Sequence, residues 1–338
     1  MAVIHLENLS KHFRVLNRHP GLRGAFRDLL SNDYKIVKAV DQISLTIEPG
    51  EIVGYIGPNG AGKSTTIKMM TGVLKPTEGI IQVNGRVPYE NRQRNAQHIG
   101  VIFGHRSQLW WDLPVIESFK ILKEIYRIDD ATYQRNIDLF NDLVGMEPLY
   151  PKSVRMLSLG QRTLCDIAAA FLHSPGVVFL DEPTIGLDIS IKSKIRAVLR
   201  ELNATYKTTI ILTTHDISDI EALCQRVVII DKGKIIFDDA IEKVNHLFGA
   251  YRTLKMQIIP FTPETCDQAA ARLQAQFGVG FSVSADEEGW IDITINQEQV
   301  LLRDVLSFMM AEFKCNDVKI TEISMGNVIQ KVYEGSAL

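Results

Sequence analysis

The sequence predicts an α/β protein in two parts: a mixed sheet covered by helices over residues 1–245, then a small α+β module over residues 246–338. Three observations predict it. Short apolar strands alternate with helical stretches along the first part, and a glycine-rich run, "GPNGAGKST", joins one such strand to one such helix. After about residue 245 the order of elements changes.

In the first part, "EIVGYIG" (Glu51 to Gly57), "GVVFLDE" (Gly176 to Glu182), "TTIILTT" (Thr208 to Thr214) and "RVVIIDKGKIIF" (Arg226 to Phe237) read as strands. "GLRGAFRDLLS", Gly21 to Ser31, reads as a helix inside an insert of about residues 14–36. Its Leu22, Ala25, Phe26, Leu29 and Leu30 share one face while Arg23 and Arg27 point elsewhere. Such a helix packs on its own domain or touches a partner or membrane surface. In "VIFGHRSQLWWDL" an apolar strand enters a polar turn holding His105, and Trp110 and Trp111 follow. Adjacent tryptophans cannot both face one core, so at least one is expected at a surface.

The second part reads strand "YRTLKMQII", helix "PETCDQAAARLQAQF", a hairpin of "GFSVSA" and "WIDITI" around Asp286 to Gly289, helix "EQVLLRDVLSFMMAEF", and strand "VKITEIS". That order, β-α-β-β-α-β, is the split βαβ arrangement.

Composition sets outer bounds. At 338 residues the chain is long enough to bury roughly three quarters of its unfolded surface. A net charge of −3 argues against a mainly electrostatic nucleic-acid binder. No run approaches the ~18 apolar residues of a membrane span. The opening "MAVIHLENLSKHF" lacks a basic region followed by an apolar one, so no secretory signal is expected and the chain is expected in the cytosol. Cys165, Cys224, Cys266 and Cys315 lie far apart without C-x-x-C spacing, which suggests neither zinc nor disulfides.

"GPNGAGKST" satisfies G-x-x-x-x-G-K-[ST] with Gly57, Gly62, Lys63 and Ser64 in register. A chance glycine-rich turn would lack the flanking strand and helix. The glycines let backbone N–H groups close around phosphates, the helix N-terminus adds its positive dipole end, Lys63 reaches the β/γ-phosphates, and the Ser64 hydroxyl ligates Mg²⁺. In "VVFLDE" an apolar strand delivers Asp181 to the same metal, and Glu182 beside it polarises the attacking water. "LSLGQ", Leu157 to Gln161, opens a helix shortly before, so Ser158 and the Gly160 N–H form a second phosphate site. One chain thus carries two half-sites for a nucleoside triphosphate.

With these motifs, residues 1 to about 240 closely resemble the ATP-binding-cassette family. Its Walker A run is Gly57, Pro58, Asn59, Gly60, Ala61, Gly62, Lys63, Ser64 and Thr65; its signature spans Leu157 to Gln161; Walker B is Val177 to Asp181 with Glu182; a D-loop surrounds Gly186 to Asp188; and the switch histidine is His215 in "TTHD". The resemblance implies a helical signature subdomain over about residues 106–165 and a head-to-tail dimer, homo- or heteromeric, in which one subunit's Ser158, Gly160 and Gln161 cover the ATP of the other. It implies Mg²⁺ as the metal, His215 at the γ-phosphate, Asp188 linking the two sites, and an aromatic residue under adenine, either Phe13 or Tyr34. Where family members usually place a glutamine, near the metal and the transmembrane partner, this chain has His105, with Gln108 the alternative. Lys63, Glu182 and His215 are the residues expected to act in hydrolysis.

The resemblance also implies separate integral-membrane permease subunits and a place on the cytoplasmic face of the membrane. "GLRGAFRDLL" and the ending "VKITEISMGNVIQKVYEG" look like exporter ATPases for drugs, antibiotics or polysaccharides. The rival reading is a soluble relative acting on nucleic acid or ribosomes, but those carry two cassettes, coiled coils or zinc modules that are absent here. No nucleic-acid partner is expected. The second module dimerises, regulates through a ligand, or braces the cassette.

Overall fold

The computed structural model describes residues 2–16, 34–104, 107–214, 216–243, 251–278, 280–285, 289–297 and 299–322. They fall into two compact units, Met1–Ala240 and Ile241–Leu338. The predicted helix Gly21 to Ser31, His105, His215 and the ending after residue 322 lie outside the described residues.

The first unit is built on a six-stranded sheet whose order is β5(Ile99–Phe103)-β6(Val177–Asp181)-β7(Thr209–Thr213)-β3(Ile52–Ile56)-β8(Arg226–Asp231)-β9(Lys234–Ala240). All neighbours are parallel except β8 and β9. Strands covered on both faces need unbroken apolar runs, and every residue of β3 and β7 is buried. "RVVIIDKGKIIF" is not one strand: Lys232, in the left-handed region, and Gly233 turn it into the β8/β9 hairpin.

A second, antiparallel sheet orders β2(Tyr34–Ile47), β1(Ile4–Leu16) and β4(Glu78–Val83) as β2-β1-β4. Its Ile4, Leu6, Ile43 and Ile81 share one core with Val53, Tyr55, Phe179 and Ile211 of the parallel sheet, and Ile67 and Met70 of α1(Lys63–Met70) belong to that core. The expected insert of about 14–36 is narrower than read. Arg14 pairs with Ile36, Val15 with Lys35 and Leu16 with Tyr34, so both strands run on as a ribbon whose backbone groups satisfy one another.

Between β4 and β6 come α2(Arg92–Ala96), β5, then α3(Val115–Tyr126), α4(Asp130–Val144) and α5(Leu159–Phe171). The helical stretch therefore continues past 165 to Phe171, because Ile167, Ala168, Ala169 and Ala170 stay buried. After β6 follow α6(Ile189–Tyr206) and, after β7, α7(Ile217–Leu223).

In the second unit, β10(Tyr251–Ile258), α8(Pro263–Phe277), β11(Phe281–Ala285), β12(Trp290–Asn296), α9(Leu302–Glu312) and β13(Cys315–Glu322) form an antiparallel sheet of order β11-β12-β10-β13. Alternate residues of β10 and β12 (Leu254, Met256, Ile291, Ile293) pack against Ala269 and Leu273 of α8 and Val305 and Met309 of α9.

Candidate functional site

In a parallel sheet, ligands meet the carboxyl ends of the strands, and the predicted residues gather there. Gly57 follows β3, Asp181 closes β6, Thr213 closes β7 and Gly104 follows β5. The loop between β3 and α1 needs glycine at Gly62, where φ is +114° and a Cβ would sit 2.5 Å from the Ala39 carbonyl. Thr66 then donates its N–H to Gly62 O, so α1 begins with its free N–H groups at the loop.

Lys63 is buried, and its ammonium donates to the carbonyls of Gly57 at 2.5 Å and Pro58 at 3.1 Å. Burial lowers its pKa, opposed by the charges of Glu182 and Asp181. The Ser64 hydroxyl lies 3.4 Å from Asp181 Oδ2. Two adjacent ligands of an octahedral Mg²⁺, each at ~2.1 Å, stand ~3 Å apart, so this pair fits one edge of such a site. Among the described residues no cluster of three His, Cys, Asp or Glu could hold a metal alone.

Sequence reasoning missed the residue that orders this corner. Thr213 donates its hydroxyl to Asp181 Oδ1 at 2.6 Å, and its carbonyl accepts the Glu182 N–H at 2.9 Å. The available signal is the threonine that opens "TTHD", two residues before the histidine. Glu182 itself has φ +53°, a left-handed conformation that costs a side-chain-bearing residue of order 1 kcal/mol. Strain of this kind concentrates at working sites.

Ser158 is the N-cap of α5: its Oγ accepts the Gln161 N–H, and the Gln161 side chain accepts the Ser158 N–H, a reciprocal capping box. Gly160 is buried, and a Cβ there would meet Ile191 Cγ2 at 2.9 Å. Asp188 caps α6 by accepting the Ile191 N–H at 2.9 Å. Met156, Leu159, Ile185 and Ile189 beside these caps are exposed, Ile189 by 84%.

Phe13 pairs with Val37 and Tyr34 with Leu16. Val37 lies two residues before Ala39, whose carbonyl lies against Gly62, and Tyr34 five before it; at ~3.3 Å per residue that is ~7 Å against ~17 Å. Phe13 is thus the nearer aromatic to the phosphate loop. The Gln108 amide, the alternative to His105, donates to the Asp166 carbonyl on α5 at 3.4 Å. Trp110 and Trp111 are both exposed, at 38% and 54%, and the Arg162 guanidinium lies 5.6 Å from the Trp111 ring centroid.

A family model described as "ABC transporter" matches residues 40–185. The ABC transporter ATP-binding protein NatA of Bacillus subtilis (strain 168) is 34% identical over 210 residues, 62% of this chain and 85% of that protein. The chain belongs to the ABC transporter ATP-binding family. The methionine import ATP-binding protein MetN of Geobacillus kaustophilus (strain HTA426) is 34% identical over 253 residues, 72% of each chain. A dimeric ATP-binding cassette solved in a post-hydrolysis state with ADP and Pi superposes with a TM-score of 0.57 at 24% identity, over 70% of this chain and 98% of that one. The fold is therefore that of the ABC cassettes, and this member is an ATPase that binds and hydrolyses ATP. As an ABC cassette it carries the phosphate loop, the β6 carboxylates and the capped signature helix in one unit.

Proposed function

We propose that this ABC ATPase is the nucleotide-binding subunit of a transporter, closing head-to-tail with a second copy or a second ABC ATPase over two ATP–Mg²⁺ sites. Lys63 and the N–H groups of the phosphate loop other than at Pro58 hold the phosphates, Ser64 and Asp181 hold Mg²⁺, Glu182 takes the proton of the attacking water, and His215 meets the γ-phosphate. Phe13 stacks on adenine. Ser158, Gly160 and Gln161 come from the opposite subunit, and Asp188 lies between the sites.

One observation carries this reading: the phosphate loop and the Ser158 cap are separate anion-binding helix N-termini on one unit. The exposed Met156, Leu159, Ile185 and Ile189 beside the signature support burial there by another subunit. No described helix is long and apolar enough to cross a membrane. In the proposed assembly separate permease subunits supply the transport path, and this chain is peripheral on the cytoplasmic face.

Export is the direction argued by the sequence around residues 21–30 and the chain's ending; import is favoured by relatives named as methionine import proteins. Purification from membranes, followed by reconstitution of whatever integral-membrane subunits accompany the chain, tests both levels. Substrate leaving the ATP-bearing side supports export, and accumulation on that side supports import. ATP hydrolysis without any membrane subunit, coupled instead to ribosomes or nucleic acid, would overturn the transporter reading.

A further inference from the structure

We propose that Asp166 is a positioning residue for ATP hydrolysis: its carboxylate fastens the loop that leaves β5 beside Asp181 to the signature helix α5, so that the two move as one piece. The inference rests on the reading of Ser158 as half of a composite ATP site.

Described contacts hold the loop on each side of residues 105–106. Gly104 donates its N–H to the Asp181 carbonyl at 3.0 Å, which anchors the start of the loop at the proposed metal corner. A few residues on, one oxygen of Asp166, Oδ1, accepts both the Ser107 hydroxyl at 2.8 Å and the Gln108 N–H at 3.1 Å. Ser107 is itself held, its hydroxyl accepting the Leu109 N–H at 3.2 Å. The Gln108 amide adds a bond to the Asp166 main-chain carbonyl at 3.4 Å. From Asp166 to the Ser158 cap is about two helical turns, ~12 Å of a helix whose Cys165, Ile167 and Ala168 are buried on either side. A shift of the loop when nucleotide and metal meet Asp181 is thereby passed to the Ser158 hydroxyl.

Stability alone does not explain an acid in this place. The side chain is buried, and that burial raises its pKa to about 6 against the hydrogen bonds from Ser107 and Gln108 and the charge of Arg162. A buried acid whose direct hydrogen-bond donors are neutral, with Arg162 acting only through its charge, contributes little or negatively to folding, whereas an apolar side chain would suit the surrounding Ile167 and alanines. Asparagine offers the same oxygen without the charge. The geometry therefore assigns the value of the residue to the oxygen that joins loop to helix.

The test uses the full chain in two backgrounds. With Glu182→Gln, ATP-driven dimerisation is followed by size-exclusion chromatography and monomer affinity by a fluorescent ATP analogue; with Glu182 intact, kcat and KM are measured. Asp166→Ala should bind ATP within about twofold of the parent, yet need about tenfold more protein to dimerise and lose about tenfold in kcat, as expected for a buried bonding group left without its partner. Asp166→Asn should recover most of both. Should the alanine variant not fold, Ser107→Ala removes the same link from the loop side and should act in the same direction, by about threefold. Parent-like dimerisation and kcat in Asp166→Ala or Ser107→Ala, or an asparagine variant as impaired as the alanine one, overturns the proposal. Ser158→Asp separates it from the composite-site reading. If that variant dimerises normally, the composite site is wrong; if it fails while Asp166→Ala does not, only the positioning role is wrong.

Discussion

Thr213 holds Asp181 with its hydroxyl, 2.6 Å from Oδ1, while its carbonyl takes the N–H of Glu182. One residue at the end of β7 thus holds the Asp181 carboxylate and the backbone of Glu182. Asp181 keeps Oδ2 toward Ser64, as the proposed sharing of Mg²⁺ by the two residues requires. Thr213→Val preserves shape and β-branching but removes the hydroxyl. It should raise the Mg²⁺ concentration needed for half-maximal ATPase several-fold and lower kcat about tenfold, with the melting temperature changed by only a few degrees. A Mg²⁺ titration of ATPase rate checks this.

Glu182→Gln should retain ATP binding and lose ~10²- to 10⁴-fold in turnover, the usual worth of a positioned base. ATP should then trap a dimer visible by size-exclusion chromatography. Lys63→Ala acts earlier: with its ammonium gone from the loop, nucleotide affinity itself should fall. Undiminished hydrolysis by Glu182→Gln would assign the base elsewhere.

Gly160→Asp, a natural way to block the signature, is compromised because its Cβ would press on Ile191 within the same subunit. Ser158→Asp is cleaner. Aspartate caps helices as well as serine does, so α5 should stay intact by circular dichroism, but its charge would face the partner's γ-phosphate. Monomer ATP binding should remain and ATP-driven dimerisation and hydrolysis should fail.

Trp110→Ala with Trp111→Ala should leave melting temperature and isolated ATPase near those of the parent, since both side chains are exposed. Capture by permease-containing membranes should weaken, by ~2 kcal/mol if the pair is an anchor. Equal capture by both proteins would remove the tryptophans from the partner surface.

Two titrating groups, the part-buried His173 and the buried Asp166, oppose each other in acid. His173, stacked on Tyr126 at 4.0 Å, has its pKa lowered to about 4 by burial. Unfolding restores a value near 6.5, so the unfolded state binds more protons between pH 4 and 6.5 and stability falls as pH drops through that window. Asp166 has the reverse sign: raised to about 6 from 3.8, it costs stability as pH rises through that range and remains a burden at pH 7. Asp166→Asn should therefore melt higher than the parent at pH 7, by an amount that shrinks toward pH 4. Melting curves from pH 4 to 8 check both signs.

Much of the site was legible because its chemistry is local in sequence. The phosphate loop and the Ser158 cap each lie within a few consecutive residues, where spacing alone places backbone N–H groups. Thr213, Asp166 and the bond from Gly104 were not legible, since they join segments brought together only by the order of strands in the parallel sheet. The β-α-β-β-α-β module followed from alternation in β10 and β12 and from helical periodicity, both short-range signals. The bounds of the insert were misjudged because the β1/β2 ribbon exposes Val15, Tyr34 and Ile36, leaving no buried face to mark where the strands end.

If Glu182 is the base proposed above, its left-handed backbone makes hydrolysis a standing cost to the folded chain. Glycine would adopt that φ freely, so loss of the carboxylate and relief of the backbone point the same way, offset in part by glycine's greater freedom when unfolded. A copy of this subunit released from the duty to hydrolyse ATP, such as one half of an unequal pair, would find replacement of Glu182 by glycine an easy step for folding. In this chain the carboxylate sits at a position that backbone preference alone would give to glycine, as a subunit that turns ATP over through the proposed Glu182 base would need.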